Sequence, residues 1–146
     1  MQTYEANWAS LRQHTTPQWL TDAKFGIYTH WGVYSVPACG PNGTWYAHNM
    51  YRQGNSQYDY HEKTFGPASE FGYKEFIPMF TAKKFDADEW ADIFKASGAQ
   101  FAGPVAEHHD GFSMWNSKVN EWNAFNMGPK RDVVGELATA MRRQDM

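Results

Sequence analysis

The chain has 146 residues, close to the ~100–150 typical of one domain, and is long enough to bury a core. Its net charge of −3 excludes the basic footprint expected of a nucleic-acid or membrane-surface binder. No apolar run nears the ~18 residues of a membrane-crossing helix, and the opening MQTYEANWASLRQH has no apolar signal-peptide centre. The lone Cys39 excludes an internal disulfide and a four-cysteine zinc site. Composition assigns no compartment.

Aromatic residues make up 17% of the chain, yet mean hydropathy is −0.71, so many rings sit in a polar background. Most are expected in the core. The remainder, beside hydroxyl, amide and imidazole groups, suit sugars, whose C–H faces stack and whose hydroxyls take hydrogen bonds.

In chain order, Phe25–Thr29 in KFGIYTHWG reads as a short strand closed by Gly32. Pro37–Pro78 reads as a long loop rich in Gly, Asn, Tyr and His, with one short helix near Trp45–Arg52. Asp86 caps a helix, with Glu89 three residues on, a buried stripe of Trp90, Ile93 and Phe94, and Gly98 as its stop. Phe101–Ala106 reads as a buried strand leading into EHHDGF. After the loop 120–127, Asp132 caps a last helix with Val133, Val134, Leu137 and Met141 inward and Arg142 and Arg143 at its negative end. No repeat or linker divides residues 1–146, so they read as one domain unit. Alternating strands and helices point to a parallel α/β sheet, either an open layer or a barrel. The last helix has no closing strand after it, and a (β/α)8 barrel needs about 250 residues. The expectation is therefore a partial barrel, completed by a homo-oligomeric partner or a complementing carboxy-terminal half.

Two polar motifs fall at the carboxyl ends of predicted strands, where α/β proteins place their active groups. In His30-Trp31-Gly32, an imidazole could bind a hydroxyl beside a stacking indole, with Gly32 letting the backbone approach a ligand. The same three residues could equally be a core histidine satisfied by a carbonyl. Glu107-His108-His109-Asp110 is denser, and ionisable groups at the end of a buried strand are not a solvated face. Neighbouring strand residues face opposite sides, so His108 and His109 share a pocket only if the loop redirects one. The cluster reads either as a cradle for a small polyol or as a metal site of His108, His109 and Asp110. Adjacent histidines lack the HxH or HxxxH spacing of metal sites, which favours the cradle. In TWYAHNMY, a helix would put Trp45, His48 and Asn49 on one face, lining a pocket or docking the loop.

KFGIYTHWGVYSVPA, TWYAHNMY, FDADEWADIFKASGA, AEHHDGFSMWNS and WNAFNMGPKRDVVGELATAMR, in this order, resemble the amino-terminal half of the α-L-fucosidase family of retaining glycoside hydrolases, from about Trp19 onward. The resemblance implies a (β/α)8-like catalytic barrel that releases terminal α-L-fucose from a fucosylated glycan or aryl fucoside, through a covalent glycosyl-enzyme and with no metal or other cofactor. It assigns sugar hydroxyl contacts to His30, His108 and His109 and a pocket wall to Trp45, with Trp31 and Thr44 beside them. The family's loop usually reads EWY, and Thr44 stands where that Glu contacts the sugar. The resemblance places the family's nucleophile and acid/base on later strands, outside these residues.

A retaining glycosidase needs two carboxyl groups about 5–5.5 Å apart. Glu107 and Asp110 are the carboxylates at a strand end beside the histidines, candidates to act in an oligomer or to orient the imidazoles. Asp92 is expected to face solvent. The alternatives to a fucosidase are a non-catalytic fucose-binding fragment and a metal-dependent hydrolase built on His108, His109 and Asp110.

Overall fold

Two short strands organise the chain, whose computed structural model describes residues 3–146. β1 (Gly26–Thr29) and β2 (Phe101–Pro104) pair in parallel, with Gly26 opposite Phe101 and Thr29 opposite Pro104. Glycine is required at the first pair. A Cβ on Gly26 would lie 2.2 Å from the Phe101 ring, which folds over it and meets Trp19 edge-on at 6.4 Å. The strands are shorter than expected, although backbone bonds continue past them, from Gln100 N–H to Phe25 O and from Val105 N–H to Thr29 O, each 2.9 Å. The fold is α/β with a small parallel sheet.

The helices, in chain order, are α1 (Trp8–Leu11), α2 (Gln18–Ala23), α3 (Tyr46–Asn49), α4 (Ser56–Thr64), α5 (Ala87–Ala96) and α6 (Val133–Arg143). α5 begins as expected, with the Asp86 carboxylate accepting from the N–H groups of Asp88 and Glu89. Gly98, at φ +87°, follows its end. Its buried face corrects the sequence expectation: Ala91 and Phe94 are buried, Trp90 is half-buried and Ile93 is 56% exposed. At about 100° per residue, Ile93 falls about 200° from Ala91, on the opposite side of the helix.

α6 packs against α5 through Val133, Leu137, Ala140 and Met141, while Val134 is only half-buried. Asp132 caps it by accepting from Gly135 N–H at 2.7 Å. Arg131 fastens the helix start to the core: its guanidinium bonds the Glu136 carboxylate, donates to Phe85 O at 2.9 Å and lies 5.0 Å above the Phe85 ring. Asp92 is exposed, as expected, and accepts from the Gln144 amide.

The segment expected as one long loop holds more structure. Besides α3 and α4 it contains tight turns of 3₁₀ helix at Val33–Ser35, Gly43–Trp45 and Tyr73–Met79. α4 gave no sequence signal because SQYDYHEKT has no apolar stripe; it buries Gln57 and His61 instead. His61 is fully buried, with Nε2 2.7 Å from Phe71 O and Nδ1 2.9 Å from the Tyr46 hydroxyl. A carbonyl only accepts, so Nε2 carries the proton and Nδ1 accepts from Tyr46. Phe65, Phe71 and Phe76 wall the imidazole in. Among the described residues, no helix is long and apolar enough to cross a membrane.

Candidate functional site

β2 stops at Pro104, so Glu107 to Asp110 lie in a turn rather than on the strand. Gly111, at φ +70°, closes that turn by donating its N–H to His108 O at 3.0 Å. Freed from strand alternation, His108 and His109 come together with ring centroids 4.5 Å apart.

His30 follows the last residue of β1, on the side of Tyr28, whose ring is 5.1 Å away. Because β1 and β2 are parallel neighbours, their carboxyl ends coincide. His30 therefore meets His108 edge-to-face at 5.3 Å. Trp45 arrives from the turn before α3 and stacks on His109 at 4.4 Å, with the planes 29° apart. His109 is fixed from behind, its Nε2 3.0 Å from Thr44 O. That carbonyl requires the proton on Nε2, so a neutral His109 keeps Nδ1 as an acceptor. Thr44 thus serves the cluster through its main chain.

The structure brings together His30, Trp45, His108 and His109, and adds Tyr34. Tyr34 is 4% exposed, and its ring lies 5.4 Å from that of His108. Thr29 Oγ1, the Tyr34 hydroxyl and His108 Nδ1 are buried with no hydrogen-bond partner among the described residues. Burial, then the neighbouring His109 and His30, holds the His108 imidazole below its ordinary value of 6.5, and Asp110 partly opposes this. Burial, then Asp110 and Tyr28, pushes the Tyr34 phenol up to about 12. Both groups are uncharged at neutral pH, as partners of neutral hydroxyls should be.

Asp110 accepts from the Tyr73 hydroxyl at 2.7 Å and from Phe112 N–H at 3.2 Å. Burial, followed by Asp110, raises the Tyr73 pKa, so Tyr73 is the proton donor of this pair. Glu107 accepts from the Ser113 hydroxyl, and the Asn120 amide lies 3.5 Å from the same carboxylate. Asn120 also donates to Gly111 O at 2.8 Å. Both carboxylates clamp the histidine loop.

Two expectations are corrected, and one alternative lacks its geometry. Trp31 does not join His30; the two point apart, and Trp31 packs against Phe80, Phe85 and Trp90 at 5.0 to 5.4 Å. Gly32 makes room for the Tyr34 ring rather than for a ligand, since a Cβ there would lie 3.0 Å from that ring. His108, His109 and Asp110 are not gathered as metal ligands, because His109 turns to Thr44 O and Asp110 to Tyr73. Among the described residues no group of three or more His, Cys, Asp or Glu side chains could hold a metal ion. Asn49 donates to Gln57 at 2.7 Å and ties α3 to α4.

Sequence reasoning passed over Tyr34 and Tyr73. Tyr34 lies within the first quoted motif. Tyr73 sits far along the chain from Asp110, with no local pattern tying the two.

The α-L-fucosidase family profile matches residues 1–146. The chain belongs to the α-L-fucosidase family. It is 42% identical over 144 residues to the tissue α-L-fucosidase of Rattus norvegicus, covering 98% of this chain and 30% of the relative. To the plasma α-L-fucosidase of Homo sapiens it is 44% identical over 142 residues, covering 97% and 30%. Among solved structures, Thermotoga maritima α-fucosidase in complex with fucose superposes with a TM-score of 0.90 at 43% identity, covering 97% of this chain and 35% of that one. A Bacteroides thetaiotaomicron α-L-fucosidase gives 0.67 at 28% identity, covering 91% and 28%. The chain thus spans about a third of the length of these family members.

Proposed function

We propose that residues 1–146 form the amino-terminal part of a (β/α)8-type catalytic barrel, and that the protein hydrolyses terminal α-L-fucosides. One observation carries this reading: three imidazoles and an indole meet at the carboxyl ends of two adjacent parallel strands, in a chain of this family. His30, His108 and His109 take the hydroxyls of fucose, and the exposed face of Trp45 takes its apolar side. The fucose bound by the Thermotoga maritima relative supports the choice of sugar.

Within this part of the site the residues bind and orient. His109, with its proton held on Nε2 by Thr44, offers Nδ1 to a sugar O–H. His108, kept neutral by burial, adds no charge to the pocket. Glu107 and Asp110 hold the loop, and their oxygens are engaged by Ser113, Tyr73 and Phe112 N–H. The two carboxyl groups that a retaining mechanism needs come from the remainder of the barrel. That remainder, or a second copy, covers the unpaired edges of the two-stranded sheet.

Calorimetric titration with L-fucose tests the reading. Heat of binding is expected for this chain and lost in His108→Ala, and no heat with the unmodified chain overturns it. Hydrolysis of an aryl α-L-fucoside by this chain alone, abolished by Glu107→Gln or Asp110→Asn, would overturn the clamp role of these carboxylates. Light scattering is expected to give a mass above that of a monomer. A monodisperse, cooperatively melting monomer would contradict the covering of the sheet edges.

A further inference from the structure

Two polar atoms beneath the imidazole cluster have no role in the function proposed above. The Tyr34 hydroxyl and His108 Nδ1 are both buried, and neither has a hydrogen-bond partner among the described residues. Their rings lie 5.4 Å apart, centre to centre, and are tilted by 60°. The two groups are neighbours that do not bond directly. We propose that Tyr34 is the positioning residue of His108, acting through one buried water that fixes the proton of this imidazole on Nε2. The proposal deepens the fucose reading above and rests on it for the sugar contact alone.

Burial decides what can satisfy these atoms. Both are already closed off within the described residues, so no side chain from the remainder of a barrel reaches them. A buried donor or acceptor left unmade is costly, and a water held by two or more polar groups is the usual remedy in folded proteins. Tyr34 cannot turn away to find another partner. Its ring is 4% exposed and sits against Gly32, where a Cβ would lie 3.0 Å from it. Thr29 Oγ1, the third unpartnered atom, lies on the opposite face of β1 from His30 and is not part of the pair.

Counting protons gives the direction. The Tyr34 phenol keeps its proton at neutral pH and needs an acceptor. When it donates to the water and the water donates to Nδ1, both protein atoms are satisfied and one water proton remains. When Nδ1 carries the proton instead, both groups donate to the water and two water protons are stranded. The first arrangement wins, and it puts the His108 proton on Nε2. His109 also carries its proton on Nε2, but gives it to Thr44 O and keeps Nδ1 for the ligand. With the rings 4.5 Å apart, His108 then presents a donor beside the acceptor of His109. A sugar hydroxyl both donates and accepts, so this opposed pair holds it in one orientation.

The test is long-range proton–nitrogen NMR of the histidine rings in the full 146-residue chain at neutral pH. His108 signals are identified by their loss in His108→Asn. His108 is expected as a single Nε2–H tautomer, and as a mixture in Tyr34→Phe, which keeps the ring and removes the hydroxyl. Thr29→Val removes the other unpartnered hydroxyl and should leave the tautomer unchanged. Titration with L-fucose should give an affinity that falls in step with the Nε2–H fraction, about twofold when the two tautomers are equally populated. An Nδ1–H tautomer in the unmodified chain, or a tautomer unmoved by Tyr34→Phe, overturns the proposal. So does an equal response to Thr29→Val, or a changed tautomer with the same fucose affinity as before. The expected tautomers in a chain that binds no fucose would refute the fucose reading and leave the role of Tyr34 standing.

Discussion

Trp45 and His109 stack face to face at 4.4 Å, one ring from the loop after β1 and the other from the turn after β2. The stack orients an imidazole whose opposite edge is already bonded to Thr44 O. Trp45→Ala removes both the ring contact, worth ~0.5–1.5 kcal/mol, and a pocket wall. Fucose affinity should fall about tenfold by calorimetry, and Trp45→Phe should recover most of it. Unchanged affinity in the alanine variant would separate this indole from the ligand.

Acid should destabilise the chain partly through His108. Its folded-state pKa lies below the ordinary 6.5, so the unfolded chain takes up that proton at the higher pH. The contribution is full above about 6.5 and is lost as pH falls from there toward the folded-state value. Urea midpoints measured from neutral into mildly acid pH should decline, and His108→Asn should flatten part of the slope. An identical slope in the variant would assign the acid sensitivity to other groups.

The elements with local signals were legible in the sequence. Asp86 and Asp132 announced α5 and α6, and the apolar runs before HWG and EHHDGF announced the strands whose ends carry the histidines. What escaped was set by partners distant in sequence. α4 is held by Gln57 and His61, polar residues whose burial depends on Cys39 O, Tyr46 and Phe71. Trp31 looked like a ligand wall because its neighbour is His30, yet extended backbone turns it to the opposite side. Asp110 and Tyr73 meet only because the long segment folds back over the sheet end.

Tyr46→Phe tests the buried pair that fastens α4. The hydroxyl donates to His61 Nδ1, and both residues are fully buried. Its loss leaves an imidazole acceptor unpaired in an aromatic enclosure, at a cost of about 1–3 kcal/mol. Urea unfolding should show a shift of this size, against less than ~0.5 kcal/mol for Tyr28→Phe at a 68% exposed position. Equal effects would mean that the buried bond is not a stabilising contact.

Gly128 and Gly66 separate two reasons for glycine. Both have positive φ, +57° and +88°, but a Cβ on Gly128 would also lie 2.8 Å from Ile77 O and 2.9 Å from Phe80 O. Gly66 faces open space. Alanine at Gly66 should carry only the conformational cost, about 1 kcal/mol, while Gly128→Ala must also displace backbone and should cost distinctly more. Thermal melts of the two variants give the comparison, and equal losses would refute the close approach.

Thr44→Glu restores the residue that the family's loop motif usually carries before its tryptophan. The main-chain carbonyl of residue 44 still holds His109, so the substitution changes the side chain without altering the frame of the stack. A carboxylate beside Trp45 would accept from a sugar hydroxyl, and such a charge-assisted bond contributes ~1.5–3 kcal/mol. Fucose affinity should therefore rise at least about tenfold in Thr44→Glu. The gain should vanish in Thr44→Glu combined with Trp45→Ala, because the pyranose is then no longer held against that carboxylate. Affinity that stays level or falls in the single variant would show that this loop presents its side chain away from the sugar.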